Sequence, residues 1–434
     1  MQRVVVHGVS LRYNTLEKCS DWACFRDFSC FWQWPDCCLM ERENLFMEIR
    51  HIAPFNQHAG RYVLFGNDGF LYQAQAGEAP TVIASLPYIS IDGEIKLYVC
   101  EPWVCVTERF GTHAALVNLD TAAVRELSRE DYYVEVSSYS IGFLIRQGRV
   151  LLIHQTDWNR LDIMDVETGR NLTDREVYIR EVIPENTDQT NTQPVYEEKN
   201  YIDYFHSLLH VSPDGSFFVS NGWLWHPLGR LLCFRTDDFL RQYELSGTYL
   251  QYCRVDNWDR PCAFIGNDRL VTVTDAPGEE EEDSPEEDNS PEDDDFKPCE
   301  HEKLQFYDLN ATAQEREYGE HILLKESEVD CDVFIPDKEG NISGTLVWDS
   351  QYSCLVAVTS NGAFAFNLCG EVLAARLECC CNTDRLHTDM HAGPGWCYNP
   401  ENHSLYHWLQ EAGIVEERQF ALQSDHPTPC KESV

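Results

Sequence analysis

The chain has 434 residues, 43% apolar and 12% aromatic, ample for a large buried core. Its 73 acids against 33 bases give a formal charge of −40, a field that repels phosphate backbones and anionic membranes. Nucleic-acid and membrane binding are therefore set aside, while a protein partner, and a basic one in particular, is admitted.

The 19 cysteines are read against the N-terminus, MQRVVVHGVSLRYN. It has neither the apolar core nor the small-residue cleavage site of a signal peptide. No stretch approaches the ~18 uninterrupted apolar residues of a membrane span. The expectation is a cytoplasmic protein whose cysteines are reduced and mostly serve as small apolar core residues. The odd count also argues against a complete set of disulfides.

Residues 1–60 form an N-terminal segment in which Val4–Val6 is the one readable strand. Asp21–Cys38 is crowded with aromatics and cysteines, so it is expected to pack on the body. From Arg61 a pattern begins. Tyr62–Phe65, the turn Gly66-Asn67-Asp68-Gly69, Phe70–Tyr72 and Thr81–Ala84 read as strands joined by hairpin signals. Further copies are Trp103–Thr107 with Ala114–Leu119 and Val124–Leu127, then Val150–His154 with Leu161–Val166.

The clearest copy runs from His206 to Leu245. Leu208–Val211, Phe217–Val219, Leu231–Phe234 and Leu240–Leu245 read as strands, with turns at Ser212-Pro213-Asp214-Gly215 and Arg235–Asp238. Leu270–Thr274 and Leu304–Leu309 make a fifth copy. Leu355–Thr359, Ala363–Leu368 and Val372–Leu377 make a sixth, and Ser404–Trp408 with Ile414–Phe420 a shorter seventh. Uninterrupted copies begin about forty to fifty residues apart, the length of a four-stranded propeller blade. Several close on an Asx turn: Asn118-Leu119-Asp120-Thr121, Asp165-Val166-Glu167-Thr168-Gly169, Asp308-Leu309-Asn310 and Asn367-Leu368-Cys369-Gly370.

Helical periodicity is weak; Glu315–Lys325 reads as a short helix or a loop. Glu185–Asn200 is polar and reads as a long loop. Residues 279–295 carry twelve acids and two prolines, and self-repulsion is expected to keep this insertion disordered. Residues 421–434 form a tail.

The Ser212–Gly215 turn before a strand, Asp165–Gly169 after one and the spaced copies resemble the WD-repeat-like β-propeller superfamily over residues 61–420. The Gly-His and Trp-Asp signatures of that family are missing; Trp348-Asp349 precedes a strand rather than ending a repeat. The resemblance implies an all-β propeller of about seven four-stranded blades. A strand from the first fifty residues would complete the last blade beside Ser404–Phe420. It also implies a rigid interaction platform in most cases and an enzyme in a minority.

No Gly-x-Ser-x-Gly elbow and no phosphate loop stand out, and no cofactor is called for. The chemistry-bearing candidates are two. Cys379-Cys380-Cys381, His387, Asp389, His391, His403 and His407 crowd the C-terminal part, and Cys381, His387, His391 and His403 are the ligands a metal would choose. The spacing fits no standard finger, and adjacent cysteines on a strand point to alternate faces, so ordinary core or loop roles lead. Cys19, Cys24, Cys30, Cys37 and Cys38 are irregularly spaced and lack neighbouring histidines.

Trp223, Trp225 and His226, with Trp396, are candidates for partner binding; the competing reading packs the tryptophans between blades. The reading taken is a non-catalytic protein-interaction scaffold. Its rival is a propeller hydrolase or lyase with a polar site in the central channel. A third architecture, an array of β-sandwiches, would show two or more separate cores.

Overall fold

A computed structural model describes residues 5–6, 9–10, 48–55, 58–182, 195–225, 227–255, 258–275, 302–315, 320–335, 342, 344–381 and 395–420. The chain divides into two units, Met1–Leu45 and Phe46–Val434. In the first, Val5–Val6 pairs with Val9–Ser10.

The second unit is an all-β propeller of seven blades. Blade 1 is Ile49–Pro54, Arg61–Gly66, Phe70–Gln75 and Thr81–Ser85, and blade 2 is Ile95–Cys100, Trp103–Glu108, His113–Asn118 and Val124–Ser128. Blade 3 is Ile141–Arg146, Arg149–Asp157 and Arg160–Asp165. Blade 4 is Phe205–Val211, Phe217–Leu224, Leu228–Arg235 and Thr248–Val255. Blade 5 is Cys262–Ile265, Arg269–Asp275, Glu302–Asp308 and Ser327–Cys331, and blade 6 is Thr345–Asp349, Cys354–Thr359, Gly362–Phe366 and Val372–Arg376. Blade 7 has three described strands, Cys397–Asn399, Ser404–Leu409 and Ile414–Gln419. Within each blade the neighbours are antiparallel.

One sheet cannot bury both faces alone, so each blade seals its neighbour. Val63, Phe65 and Leu71 of blade 1 share a cluster with Val104, Val106 and Ala115 of blade 2. Similar clusters join each later pair, through blades 6 and 7. Tyr406, Trp408 and Val415 of blade 7 then pack on Tyr62, Leu64 and Tyr72 of blade 1 and close the ring. A cyclic series of inter-blade cores is not the pair of separate cores that a sandwich array requires. Second strands take the deepest positions: Trp103–Glu108 and Cys354–Thr359 are buried throughout. Outer strands such as Val372–Arg376 are largely exposed.

The predicted turns form as their side chains dictate. Gly215, at φ +69°, donates its amide to Ser212 O at 2.9 Å, and Asp214 Oδ1 accepts from the Ser216 amide at 2.9 Å. Asn118 Oδ1 accepts from the amides of Asp120 and Thr121, and Asp165 Oδ1 from that of Thr168.

Four expectations change. Every blade gains an inner strand upstream of, or longer than, the one the sequence suggested; Ile49–Pro54 thus extends the propeller upstream of Arg61. Leu240–Leu245 is not a strand. Residues Thr236–Gln242 form a helix, α1, with Asp237 and Asp238 in its first turn and Phe239 buried in the core between blades 3 and 4. Val195–Lys199, inside the expected polar loop, pairs with Tyr178–Val182 as a hairpin between blades 3 and 4. Within the stretch read as helix or loop, His321–Leu323 runs parallel to the outer strand of blade 4, with Gln314–Glu315 beside it.

Ten described cysteines are free thiols, most of them buried, but Cys369 is disulfide-bonded, a departure from the all-thiol expectation. The acidic run 279–295 and the cysteines before residue 45 lie outside the described residues.

Candidate docking surface

Antiparallel strands reverse at each turn. The connections between blades and the turns between second and third strands therefore open on the same face of the ring. On that face, five segments of blades 2 to 5 bring aromatics together. They are the connection after Ser128, the turn at Trp158, the approach to blade 4 at Tyr201, the turn at Trp225 and the approach to blade 5 at Trp258.

The base of the cluster is buried. Phe205 opens the inner strand of blade 4 and lies directly across the ladder from Trp223. A register shift follows at once, between Phe205 and Leu208, and leaves Phe205 facing its partner. The two rings stack at 3.8 Å and 8°. Trp258 lies on Trp223 at 5.3 Å, and Trp158 on Phe205 at 4.4 Å. Above them, Tyr133 presents edges to Phe205, Trp223 and Trp225. Tyr132 stacks on Phe205 at 5.9 Å, and Tyr201 meets Trp158 edge-on. Phe205 and Trp223 are 2% and 3% exposed, whereas Tyr132 and Trp225 are 48% and 44% exposed. The result is a rigid aromatic floor with two large rings open to solvent.

The indole N–H groups lock the floor to one loop: Trp223 Nε1 donates to Ser137 Oγ at 3.0 Å and Trp258 Nε1 to Val136 O at 2.9 Å. That loop is pinned in turn by Arg129, buried, whose guanidinium donates to Gln155 Oε1 at 2.7 Å and to the carbonyls of Gly111 and Ser137 at 2.8 Å. Burial, only partly opposed by Tyr139 and Asp259, lowers the Arg129 pKa to about 10, so it remains charged at neutral pH.

Asp259 follows Trp258 directly and holds the approach to blade 5. Its carboxylate accepts from the Leu208 amide at 2.9 Å, from Arg109 Nη2 at 3.3 Å and from Ser138 Oγ. Burial works to raise its pKa; the Arg109 charge and these donors outweigh it and keep the carboxyl below its usual range. Arg109 also reaches Glu94 Oε1 at 2.7 Å.

The sequence candidates fall as follows. Trp223 lies within a strand and is the buried base of the cluster; Trp225, in the turn after it, is exposed. His226 lies outside the described residues. Trp396 is buried between blades 6 and 7 in the core with Tyr398 and Phe420, its ring 3.9 Å from that of His407 and Arg418 over its face. Tyr132, Tyr133, Trp158, Tyr201, Phe205 and Trp258 were not singled out. The signal present was adjacency to an acid in inter-strand segments: Asp131-Tyr132, Asp157-Trp158 and Trp258-Asp259.

His387, Asp389 and His391 lie outside the described residues. Cys381 donates its amide to Thr359 O. His403 is engaged on both nitrogens, by Asp349 Oδ2 at 2.6 Å and Gln351 Oε1 at 2.8 Å. Asp349, of the Trp-Asp pair, also accepts from Tyr398 OH at 2.5 Å and ends the inner strand of blade 6. Among the described residues no group of three His, Cys, Asp or Glu is placed to hold a metal ion.

On the ring axis, inner strands of blades 1 to 4 line a cavity of about 330 Å³ with Ala53, Leu97, Val99, Ile141, Leu209 and Val211 among its walls. His51, Lys96 and His210 stand on the same strands. Burial, reinforced by the Lys96 charge, lowers both histidines to about 4, so both are neutral at pH 7.

No known family's sequence profile matches the chain, and no curated protein does. Solved structures similar to it include the Neurospora crassa Pan2 WD40 domain, at 10% identity and TM-score 0.43, over 85% of this chain and 86% of that one. BBS1N in complex with ARL6DN is similar at 10% identity and TM-score 0.45, over 87% and 92%. BamB from Moraxella catarrhalis is similar at 11% identity and TM-score 0.41, over 86% and 85%.

Proposed function

We propose that this propeller is a protein-interaction scaffold and that the aromatic face over blades 3 and 4 is its docking surface. The carrying observation is the pairing of a buried, hydrogen-bonded aromatic floor with two half-exposed rings, Tyr132 and Trp225. Aromatic side chains held rigid lose little entropy on binding and supply most of the energy of an interface.

The test is affinity capture from the native host with full-length protein and with a Tyr132→Ala/Trp225→Ala variant. A protein recovered by the wild type and lost from the equally stable variant supports the reading; identical recoveries by both contradict it.

A further inference from the structure

We infer that the aromatic face receives a cationic segment of its protein partner, with a lysine or arginine side chain laid over the rings of Tyr132 and Trp225. This rests on the reading of that face as the docking surface and adds the chemistry of what docks.

The argument is charge complementarity at the rings themselves. The segments that carry the aromatics also carry Glu130, Asp131, Glu135, Asp157 and Asp203. Glu130, Asp131, Glu135 and Asp203 are exposed and Asp157 is half-exposed. None of the five is in an ion pair among the described residues. The lysines and arginines on residues 129–140, 157–159, 200–204, 224–228 and 258–261 are Arg129 and Arg260 alone; the one histidine there, His226, lies outside the described residues. Both are buried and committed, Arg129 to the loop carbonyls and Arg260 to Glu302 Oε2 at 2.5 Å. The face thus sets electron-rich rings on the same segments as five carboxylates that have no ion-pair partner among the described residues, while the arginines of those segments are buried.

A ring face attracts a cation through its quadrupole, and a neighbouring carboxylate adds to the same attraction. An arginine plane can stack on an indole while its edge donates to a carboxylate, which suits this arrangement. An acidic peptide meets repulsion here, and a neutral aromatic one gains nothing from the carboxylates. The molecule already uses the same contact internally: Arg230 lies 4.4 Å over Tyr249 and Arg418 4.7 Å over Trp396.

The experiment is calorimetric titration of the full-length protein with nona-arginine and with its all-citrulline counterpart, which keeps the planar group and loses the charge. Two variants are compared. Tyr132→Ala/Trp225→Ala removes the exposed rings, and Glu130→Gln/Asp131→Asn/Glu135→Gln leaves every ring in place while removing charge. The expected result is binding of nona-arginine only, weakened roughly tenfold in each variant, with a flatter salt dependence in the second.

Equal affinity of nona-arginine for the wild type and both variants would overturn the inference, since the acidic run 279–295 would then account for all binding. So would equal binding of the citrulline peptide. Should the capture experiment still show a partner that depends on Tyr132 and Trp225, the docking surface survives and only its cationic ligand is wrong. Should no partner depend on those rings, the docking reading itself fails.

Discussion

Phe205 and Trp223 face each other across adjacent strands of blade 4 with their rings 3.8 Å apart and 8° from parallel. This pair joins the scaffold to the surface. Below it lie the blade's ladder bonds; above it stand Tyr132, Tyr133 and Trp225. Stability and binding should therefore separate cleanly between neighbouring tryptophans.

Trp223→Ala removes a buried indole and its bond to Ser137, and is expected to cost about 3–5 kcal/mol. Trp225→Ala, two residues on, is expected to cost less than about 1 kcal/mol because its ring is half in water. Urea denaturation of the two variants checks this. Similar losses would mean that Trp225 is structural.

Gly222 immediately precedes Trp223 and has no room for a side chain. A Cβ there would collide with Phe205 O and crowd Tyr204 OH, and the Gly222 amide already donates to Tyr204 OH at 2.8 Å. Gly222→Ala should force the two strands apart, at a cost of about 1–3 kcal/mol or more. Its melting temperature should fall, and the near-ultraviolet dichroism of the aromatic cluster should change. An unaltered spectrum would contradict the close approach described.

Asp259→Ala takes a carboxylate away from buried Arg109 and leaves the Leu208 amide without its acceptor. A loss of about 3–5 kcal/mol is expected, as for other broken buried pairs. Because Trp258 precedes Asp259, the variant should also loosen the aromatic floor. Faster acrylamide quenching of tryptophan fluorescence would report it, and quenching unchanged from wild type would count against the linkage.

Acid should weaken the fold first through histidine. Burial pushes His206 from 6.5 to about 3 and His154 from 6.5 to about 4, so both are neutral in the folded chain. The unfolded chain takes up protons near 6.5. Stability is therefore fully present above that pH and declines as pH falls toward the folded values, by up to about 1.4 kcal/mol per unit for each group. Asp259 acts in a lower window, present above the ordinary carboxylate value of 3.8 and lost only as pH falls through its depressed folded value. His206→Gln should flatten the decline between pH 6 and 4. A slope equal to that of the wild type would show that His206 does not set it.

What the sequence disclosed followed burial and locality. Second strands such as Trp103–Glu108 are buried on both faces, so they read as unbroken apolar runs, and the Asx turns announce themselves within four residues. Inner strands such as Ile95–Cys100 alternate buried and half-buried residues toward the axis, and their weaker pattern was passed over. Helix α1 was hidden because Phe239 and Leu240 also fit a strand; the segment that follows is tied down by distant partners, the buried Arg175–Glu244 pair and the Leu161 amide that donates to Glu244 Oε1. The aromatic surface was half legible. Trp225 stood out from its neighbours, but Tyr132 and Trp258 lie far away in sequence and meet it only once the ring has closed.

The most direct test is a photo-crosslinking amino acid placed at position 225, at 132 and, as a control, at 372 on the outer strand of blade 6, where Val372 is 53% exposed. After illumination in host extract, covalent adducts to a partner protein are expected at 225 and 132 and not at 372. Adducts at 372 with none at 225 or 132 would contradict the account.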